Sequence, residues 1–163
     1  GPPVAFEPPS AGFVLDWRTL AAMRDRGIEF ATITLAAGIS STGDPALDAR
    51  LPFDEPYEIS VATADAVNRA RAEGRRVVAI GTTVVRAHEH AVDVSGRVRS
   101  GAGLATRRID KTTQLSAVNA ILSGVHEPAP SQYQLLSAFE ADWPIEKANA
   151  VMHASGRPMR SAR

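Results

Sequence analysis

The strongest constraint on the fold lies in residues 77–91, which read VVAIGTTVVRAHEHA. The unbroken apolar run over residues 77–80 is typical of a parallel strand that is covered on both faces. Gly81, Thr82 and Thr83 then lead into a helix in which apolar and polar side chains recur with helical spacing. A strand, a turn and a helix in this order predict an α/β protein.

Other segments predict elements that suit such a protein. Asp16 is a candidate N-cap for a helix that ends at Gly27, and Thr63 is a candidate N-cap for another helix. Residues 28–37 are rich in β-branched and aromatic side chains and predict a strand, whereas the glycines and prolines of residues 38–60 predict a long loop. We therefore expect a layered domain with a mostly parallel central sheet flanked by helices.

The expected domain organisation is simple. A chain of 163 residues with 44% hydrophobic residues is long enough to bury a substantial core as one domain. We expect a proline-rich, extended lead-in over residues 1–15, the α/β domain over residues 16–155 and a flexible tail over residues 156–163.

Composition excludes several classes of site. The chain has no cysteine, which excludes disulfides, thiolate zinc sites, iron–sulfur clusters and a cysteine nucleophile, and we expect no metal. The 18 basic residues balance the 18 acidic ones, which argues against broad electrostatic capture of nucleic acid but permits a local basic patch. No apolar window has the length of a membrane span and the N-terminus lacks a signal pattern, so we expect a cytoplasmic protein without a membrane contact. Nothing in the sequence indicates the oligomeric state.

The turn at Gly81, Thr82 and Thr83 is a candidate anion site. Free backbone N–H groups and the helix dipole favour a phosphate or carboxylate at a helix N-terminus. The alternative is an ordinary strand-to-helix turn in which Thr82 or Thr83 caps the helix. Neither a P-loop nor a dinucleotide fingerprint is present.

Two further groups of residues on or near this helix have open interpretations. Arg86 and Glu89 are three residues apart and could pair with each other on a solvated face, and His88 falls on the apolar face, where packing is its expected role. His126 follows a predicted strand, where a neutral imidazole could act as a general base, with a solvated loop histidine as the alternative.

A basic stretch follows Gly96. Five cations occur within fifteen residues and form a candidate phosphate-contact surface, with a solvated hairpin as the alternative: Arg97, Arg99, Arg107, Arg108 and Lys111. The loop before it is rich in carboxylates, but no spacing among them predicts acid–base or metal chemistry: Asp44, Asp48, Asp54, Glu55 and Glu58.

Three segments together resemble one family. FATITLAAGISSTGDP, RVVAIGTTVVRAHE and ILSGVHEPAPSQYQLLSAF occur in the order and at the separations found in the S-adenosylmethionine:tRNA ribosyltransferase-isomerases of queuosine biosynthesis. The resemblance covers most of residues 4–150. The positions that fall on the family pattern are Gly81, Thr82, Thr83, Val85, Arg86, Glu89, His126, Pro128 and Ser131.

The resemblance implies an activity and a set of roles. Members transfer the ribosyl part of S-adenosylmethionine, as co-substrate, onto a 7-aminomethyl-7-deazaguanine base in tRNA, giving epoxyqueuosine. Catalytic roles would fall on His126 and Glu127. Substrate-binding roles would fall on Gly81, Thr82, Thr83, Arg86, Ser41, Thr42 and Gly43, and tRNA contacts on Arg97, Arg99, Arg107 and Arg108.

The chain also departs from the family pattern. Members are longer and have a β-barrel domain, so the resemblance implies that this chain is the C-terminal part of the larger domain, and that this part alone could be inactive. Members commonly have His-Val-Gly where this chain reads Ala36-Ala37-Gly38, and a His-x-His-x-Glu element where it reads LPFDEPYEIS. Two alternatives stay open: a divergent paralogue with a small-molecule acceptor, and a non-catalytic module that binds an adenosyl or nucleotide ligand.

Overall fold

The structure is a computed structural model, and it describes residues 11–12, 15–38, 42–123 and 134–139. Most of the predicted lead-in and the whole predicted tail lie outside these residues. The described helices are α1 (Trp17–Asp25), α2 (Pro45–Asp48), α3 (Val61–Ala72) and α4 (Thr82–Ala91). The described strands are β1 (Thr34–Leu35), β2 (Glu55–Ile59), β3 (Val78–Ile80), β4 (Gly101–Ala105) and β5 (Ala120–Leu122), and a 3₁₀ turn spans Ser137–Phe139.

The strands form two small sheets. One sheet has the order β1-β2-β4 and both of its pairings are antiparallel, whereas β3 and β5 pair in parallel. The α/β class is therefore correct, but the mostly parallel central sheet is not found in the described part of the chain. Among the described strands, only β3 and β5, which are separated by the helix α4, have the crossover that a parallel pair requires.

The first predicted strand is much shorter than expected. Only Thr34–Leu35 of residues 28–37 are paired as a strand. The carbonyl of Thr32 accepts a hydrogen bond from the Thr63 hydroxyl at 2.7 Å instead of from a neighbouring strand. A side chain of α3 thus takes the place of a strand partner at this point.

The predicted loop over residues 38–60 contains β2, which is central to the larger sheet. Its five residues alternate, with Glu55, Tyr57 and Ile59 buried and Pro56 and Glu58 exposed. The period of two is that of a strand with one covered face. The buried face includes one carboxylate, Glu55.

Helix caps define the ends of α1 and α3. Asp16 is the N-cap of α1, as predicted, and the Thr19 N–H donates to its carboxylate at 2.7 Å, which lowers the pKa of Asp16. Ser60, not Thr63, caps α3, because its hydroxyl oxygen accepts from the Thr63 N–H at 3.1 Å. Thr63 lies inside the first turn and is buried.

Helix α4 packs against β2, β3 and β4 and forms the centre of the core. Val85 and Ala87 are fully buried there, together with Ile59 of β2. In the sheet beneath, Tyr57 lies over its cross-strand partner Gly103, where a methyl group would come within 2.8 Å of the tyrosine Cε1. A side chain at position 103 would therefore clash with the Tyr57 ring.

Candidate functional site

The start of α4 has no side-chain cap in the structure. Gly81 is the N-cap residue, with φ of 99° and ψ of 150°, and within the described part of the chain no side chain makes a capping hydrogen bond to this helix start. The alternative in which Thr82 or Thr83 caps this helix is therefore wrong. The positive φ favours glycine, since other residues adopt it only with strain. The Gly81 N–H donates to the Leu122 carbonyl at 2.9 Å, which places the turn beside the end of β5.

Both faces of α4 are buried, and this changes the interpretation of its charged residues. Arg86 is 3% exposed and Glu89 is 2% exposed. They do not form the solvated pair that their spacing allows, because each side chain is occupied by partners from other elements.

Arg86 joins α4 to the ends of β2 and β4. Its Nη1 forms a buried ion pair with Glu55. Its Nη2 donates to the carbonyls of Phe53 at 2.9 Å and Ala105 at 2.8 Å, and its Nε donates to the carbonyl of Arg107 at 3.3 Å. All three guanidinium nitrogens are thus engaged within the protein, and one side chain fixes the backbone before β2 and at the end of β4.

The carboxylate of Glu55 connects three parts of the site. One oxygen pairs with Arg86, and the other accepts from the Gly38 N–H at 3.0 Å and from the Thr83 hydroxyl at 3.4 Å. Gly38 follows β1, and Thr83 lies in the first turn of α4, directly after the Gly81 N-cap. The segment after β1 and the turn are therefore held against one carboxylate.

Glu89 has a different partner, the chain that leads into β5. Its carboxylate accepts from the backbone N–H groups of Ser116 at 2.8 Å, Ala117 at 2.8 Å and Val118 at 3.1 Å. These three N–H donors satisfy the hydrogen-bonding capacity of the buried carboxylate. Helix α4 thereby fixes the approach to β5, and β5 ends at Leu122, four residues before His126.

Burial also lowers the pKa values of two side chains of α4, Arg86 and His88. Desolvation lowers the pKa of Arg86, while the Coulombic attraction of Glu55 opposes that shift. Desolvation lowers the pKa of His88 as well, and its Nδ1 lies 2.9 Å from the Val84 carbonyl within the same helix. His88 has the packing role expected of it, in the neutral form.

The predicted substrate loop is only partly described. Ser41 lies outside the described residues. The Thr42 hydroxyl and N–H both donate to Asp48 at 2.6 Å, and Gly43 has a φ of 78° just before α2. Thr42 therefore stabilises the turn around α2, and a contact of this loop with a ligand stays a prediction.

The two predicted catalytic residues, His126 and Glu127, lie outside the described residues. In the sequence they follow β5, which ends at Leu122. Their chemical roles stay predictions.

The candidate tRNA-contact residues are all exposed: Arg97, Arg99, Arg107 and Arg108. Arg97 and Arg99 precede β4, and Arg107 and Arg108 follow it. The Arg108 side chain donates to the carbonyl of Arg50, and the carbonyl of Arg107 is held by Arg86. The Arg86 guanidinium therefore holds the backbone at one residue of this basic surface.

Two absences concern the described residues only. No helix among them has the length and apolar character that crossing a bilayer requires. No group of three or more histidine, aspartate or glutamate side chains among them is arranged to hold a metal ion.

Sequence reasoning missed Glu55 and the role of Glu89. Glu55 alternates with Tyr57 and Ile59, and this period of two could have placed it on a buried face had the segment been recognised as a strand. No local signal identifies the partners of Glu89, which lie 27 to 29 residues further along the chain.

Comparison with known proteins supports one family. The family described as queuosine biosynthesis protein matches residues 2–154. The S-adenosylmethionine:tRNA ribosyltransferase-isomerase of Thermus thermophilus aligns with 80% of this chain at 38% sequence identity. The enzyme of the same name from Deinococcus radiodurans aligns with 86% of this chain at 36% identity. In both cases the chain spans 39% of the relative's length.

A solved structure has the same fold. The S-adenosylmethionine tRNA ribosyltransferase from Thermotoga maritima superposes with a TM-score of 0.61 over 89% of this chain and 44% of its own length, at 22% sequence identity. The family match extends over nearly the whole chain and includes the turn at Gly81, Thr82 and Thr83. The chain therefore belongs to the family of queuosine biosynthesis proteins.

Proposed function

We propose that the full-length protein transfers and isomerises the ribosyl part of S-adenosylmethionine onto a 7-aminomethyl-7-deazaguanine base in tRNA, giving epoxyqueuosine and releasing adenine and methionine. The family match over residues 2–154 carries this proposal. The names of the relatives supply the two substrates. A tRNA substrate places the reaction in the cytoplasm.

The turn at Gly81, Thr82 and Thr83 is the proposed cradle for S-adenosylmethionine. Two features support it: a glycine N-cap without a side-chain cap, and a ten-residue helix whose positive end faces this turn. Backbone N–H groups at such a terminus suit the carboxylate of the methionine part. Ser41, Thr42 and Gly43 would border the same ligand, because Glu55 ties the nearby Gly38 to Thr83.

In this proposal Arg86 stabilises the cradle indirectly, through its ion pair with Glu55. Its guanidinium nitrogens already donate to four protein groups, so its contribution to the ligand comes through Glu55 and the backbone. A direct contact with a ligand anion, which the resemblance suggests, would use the remaining Nη1 hydrogen.

The reaction also needs a base and a tRNA surface. A proton must leave the carbon beside the sulfonium, and His126 is the proposed base, with Glu127 next to it as an orienting group. The exposed cations on either side of β4 are the proposed tRNA contacts, since phosphate contacts supply most of the non-specific affinity for nucleic acids: Arg97, Arg99, Arg107 and Arg108.

Adenine release tests the proposal. We expect the full-length protein to release adenine from S-adenosylmethionine only when tRNA carrying the deazaguanine precursor is added. The control is the same tRNA with guanine at that position. Release with the free base and no tRNA would instead identify a paralogue with a small-molecule acceptor. Calorimetric binding of S-adenosylmethionine without release under any acceptor would identify a binding module.

A further inference from the structure

One buried carboxylate, that of Glu55, contacts residues of the proposed cradle without having a ligand contact assigned to it. Glu55 is 7% exposed and lies on the buried face of β2, between α4 and the end of β1. Its two oxygens accept from three donors: the Arg86 guanidinium and the Thr83 hydroxyl, both of α4, and the Gly38 N–H of the segment after β1. A buried carboxylate with this set of partners fixes the distance between those elements.

We propose that Glu55 is a positioning residue of the S-adenosylmethionine site, which holds the segment after β1 and the Gly81–Thr83 turn at the separation that the ligand requires. This inference rests on the proposed function. Glu55 acts through the groups that it orients, since its own oxygens are occupied by Arg86, Gly38 and Thr83.

The negative charge is essential to this arrangement. Arg86 is buried and charged, so it retains the strongest acceptor available to it. A carboxylate offers one oxygen to Arg86 and leaves the other for Gly38 and Thr83. A glutamine offers one oxygen only, and if Arg86 takes it, the amide NH₂ faces two donors. The segment after β1 would then lose its anchor while the packing of β2 stays the same.

The strand provides a matched control. Glu58 lies on the same strand three residues later, has the same side chain and is exposed. Glu58→Gln therefore removes the same charge from β2 without touching the buried network.

The first measurement needs no substrate. We expect the Gly38 amide of the full-length protein to exchange with solvent at least tenfold faster in Glu55→Gln than in the wild type, and to be unchanged in Glu58→Gln. The factor of about ten corresponds to the loss of one ordinary hydrogen bond. Wild-type protection of Gly38 in a folded Glu55→Gln protein would overturn the positioning role.

The second measurement separates binding from chemistry. Glu55→Gln should raise the Kd and the KM for S-adenosylmethionine about tenfold and leave the KM for tRNA within about twofold. A general loss of structure would instead raise both KM values and release protection throughout the core. Equal effects on both substrates, or none on either, would contradict the proposal.

A second substitution covers the case in which Glu55→Gln does not fold. Glu55→Asp keeps the charge beside Arg86 but is one methylene shorter, so it cannot reach Arg86 and Gly38 together. We expect a folded protein with the same loss of Gly38 protection and of S-adenosylmethionine affinity. Wild-type values for both would overturn the inference. If the wild-type protein itself does not bind S-adenosylmethionine, the proposed function fails, and the exchange of Gly38 still decides whether Glu55 holds the segment.

Discussion

Three ionisable side chains of α4 are buried, and each is accommodated in its own way. Arg86 keeps its charge, because Glu55 and three carbonyls replace its hydration. Glu89 is satisfied by three backbone donors. The Nδ1 of His88 lies beside the Val84 carbonyl of its own helix, and desolvation lowers the pKa of His88 against the opposing effects of that carbonyl and of Glu89. Among these three side chains, the burial of His88 is therefore the one that should make the stability of the folded protein depend on pH.

We predict that His88 makes the folded protein less stable in acid. The folded pKa lies below the unfolded value of about 6.5, so below that pH the unfolded chain binds a proton that the folded chain does not. The resulting loss of folding stability is negligible well above pH 6.5 and grows as the pH falls towards the folded pKa of His88. Urea unfolding at pH 7.5 and 5.5 should show a smaller loss of stability in His88→Leu than in the wild type. Parallel losses would contradict the prediction.

We predict that His126→Ala slows turnover far more than it weakens binding. A general base contributes about 10²- to 10⁴-fold to rate, while the neutral ring adds little to ground-state affinity. Single-turnover adenine release should fall by that order, and calorimetry should give a Kd for S-adenosylmethionine within about threefold of the wild type. Wild-type turnover in this variant would remove His126 as the base.

At the scale of elements, two side chains of α3 bind the chain before β4: Arg71 donates to the Gly96 carbonyl, and the Asn68 amide pairs with Val98. Asn68 is buried, its Nδ2 donates to the Val98 carbonyl at 2.8 Å, and its Oδ1 accepts from the Val98 N–H at 2.9 Å. Val98 is also bridged to Val92, at the end of α4. The side chain thus acts as a short strand partner for Val98.

We predict that Asn68→Ala destabilises the protein by about 2 kcal/mol or more, because it leaves a buried donor and a buried acceptor unpaired. Urea unfolding measures the change. Asp65→Asn, on the exposed face of the same helix, is the matched control and should lie within about 0.5 kcal/mol of the wild type. A similarly small change in Asn68→Ala would show that water takes over the two hydrogen bonds of the amide.

Elements with local signals could be predicted from the sequence, and elements that depend on distant partners could not. Helix α1 has its Asp16 cap, and the order of β3, turn and α4 follows from an apolar run and Gly81. Strand β2 was missed because Pro52 and Pro56 indicate a loop, although β1 and β4 flank it in space. The burial of Glu55 depends on Arg86, 31 residues away, and no local pattern records that distance.

At the scale of the molecule, the two sheets bring separate parts of the site together around α4. The parallel pair β3–β5 positions the Gly81 turn and the approach to His126, whereas the antiparallel sheet contributes Glu55 and the chain on either side of β4. Arg86 of α4 connects the helix that begins at the Gly81 turn to the basic stretch after β4, because its Nε donates to the carbonyl of the exposed residue Arg107. We infer that the proposed ligand cradle and the proposed tRNA surface share one buried support.

We predict that Arg97→Gln combined with Arg107→Gln weakens tRNA binding, because each substitution removes a cation that can pair with a backbone phosphate. A plot of log K against log salt should become shallower by about 1 for each phosphate that is no longer neutralised. Arg75→Gln with Arg76→Gln is the control, since these two exposed cations lie outside the basic stretch. An unchanged slope in the first variant would show that the cations on either side of β4 do not bind phosphate.

The central claim is that the ribosyl carbons of S-adenosylmethionine end on tRNA, and the fate of isotopic label tests it most directly. The full-length protein is given precursor-bearing tRNA and S-adenosylmethionine labelled either in the ribose or in the methyl group. We predict that ribose label enters the tRNA with release of one adenine for each labelled base, while methyl label leaves with methionine. Methyl label in the tRNA, or no transfer of ribose label, would contradict the account.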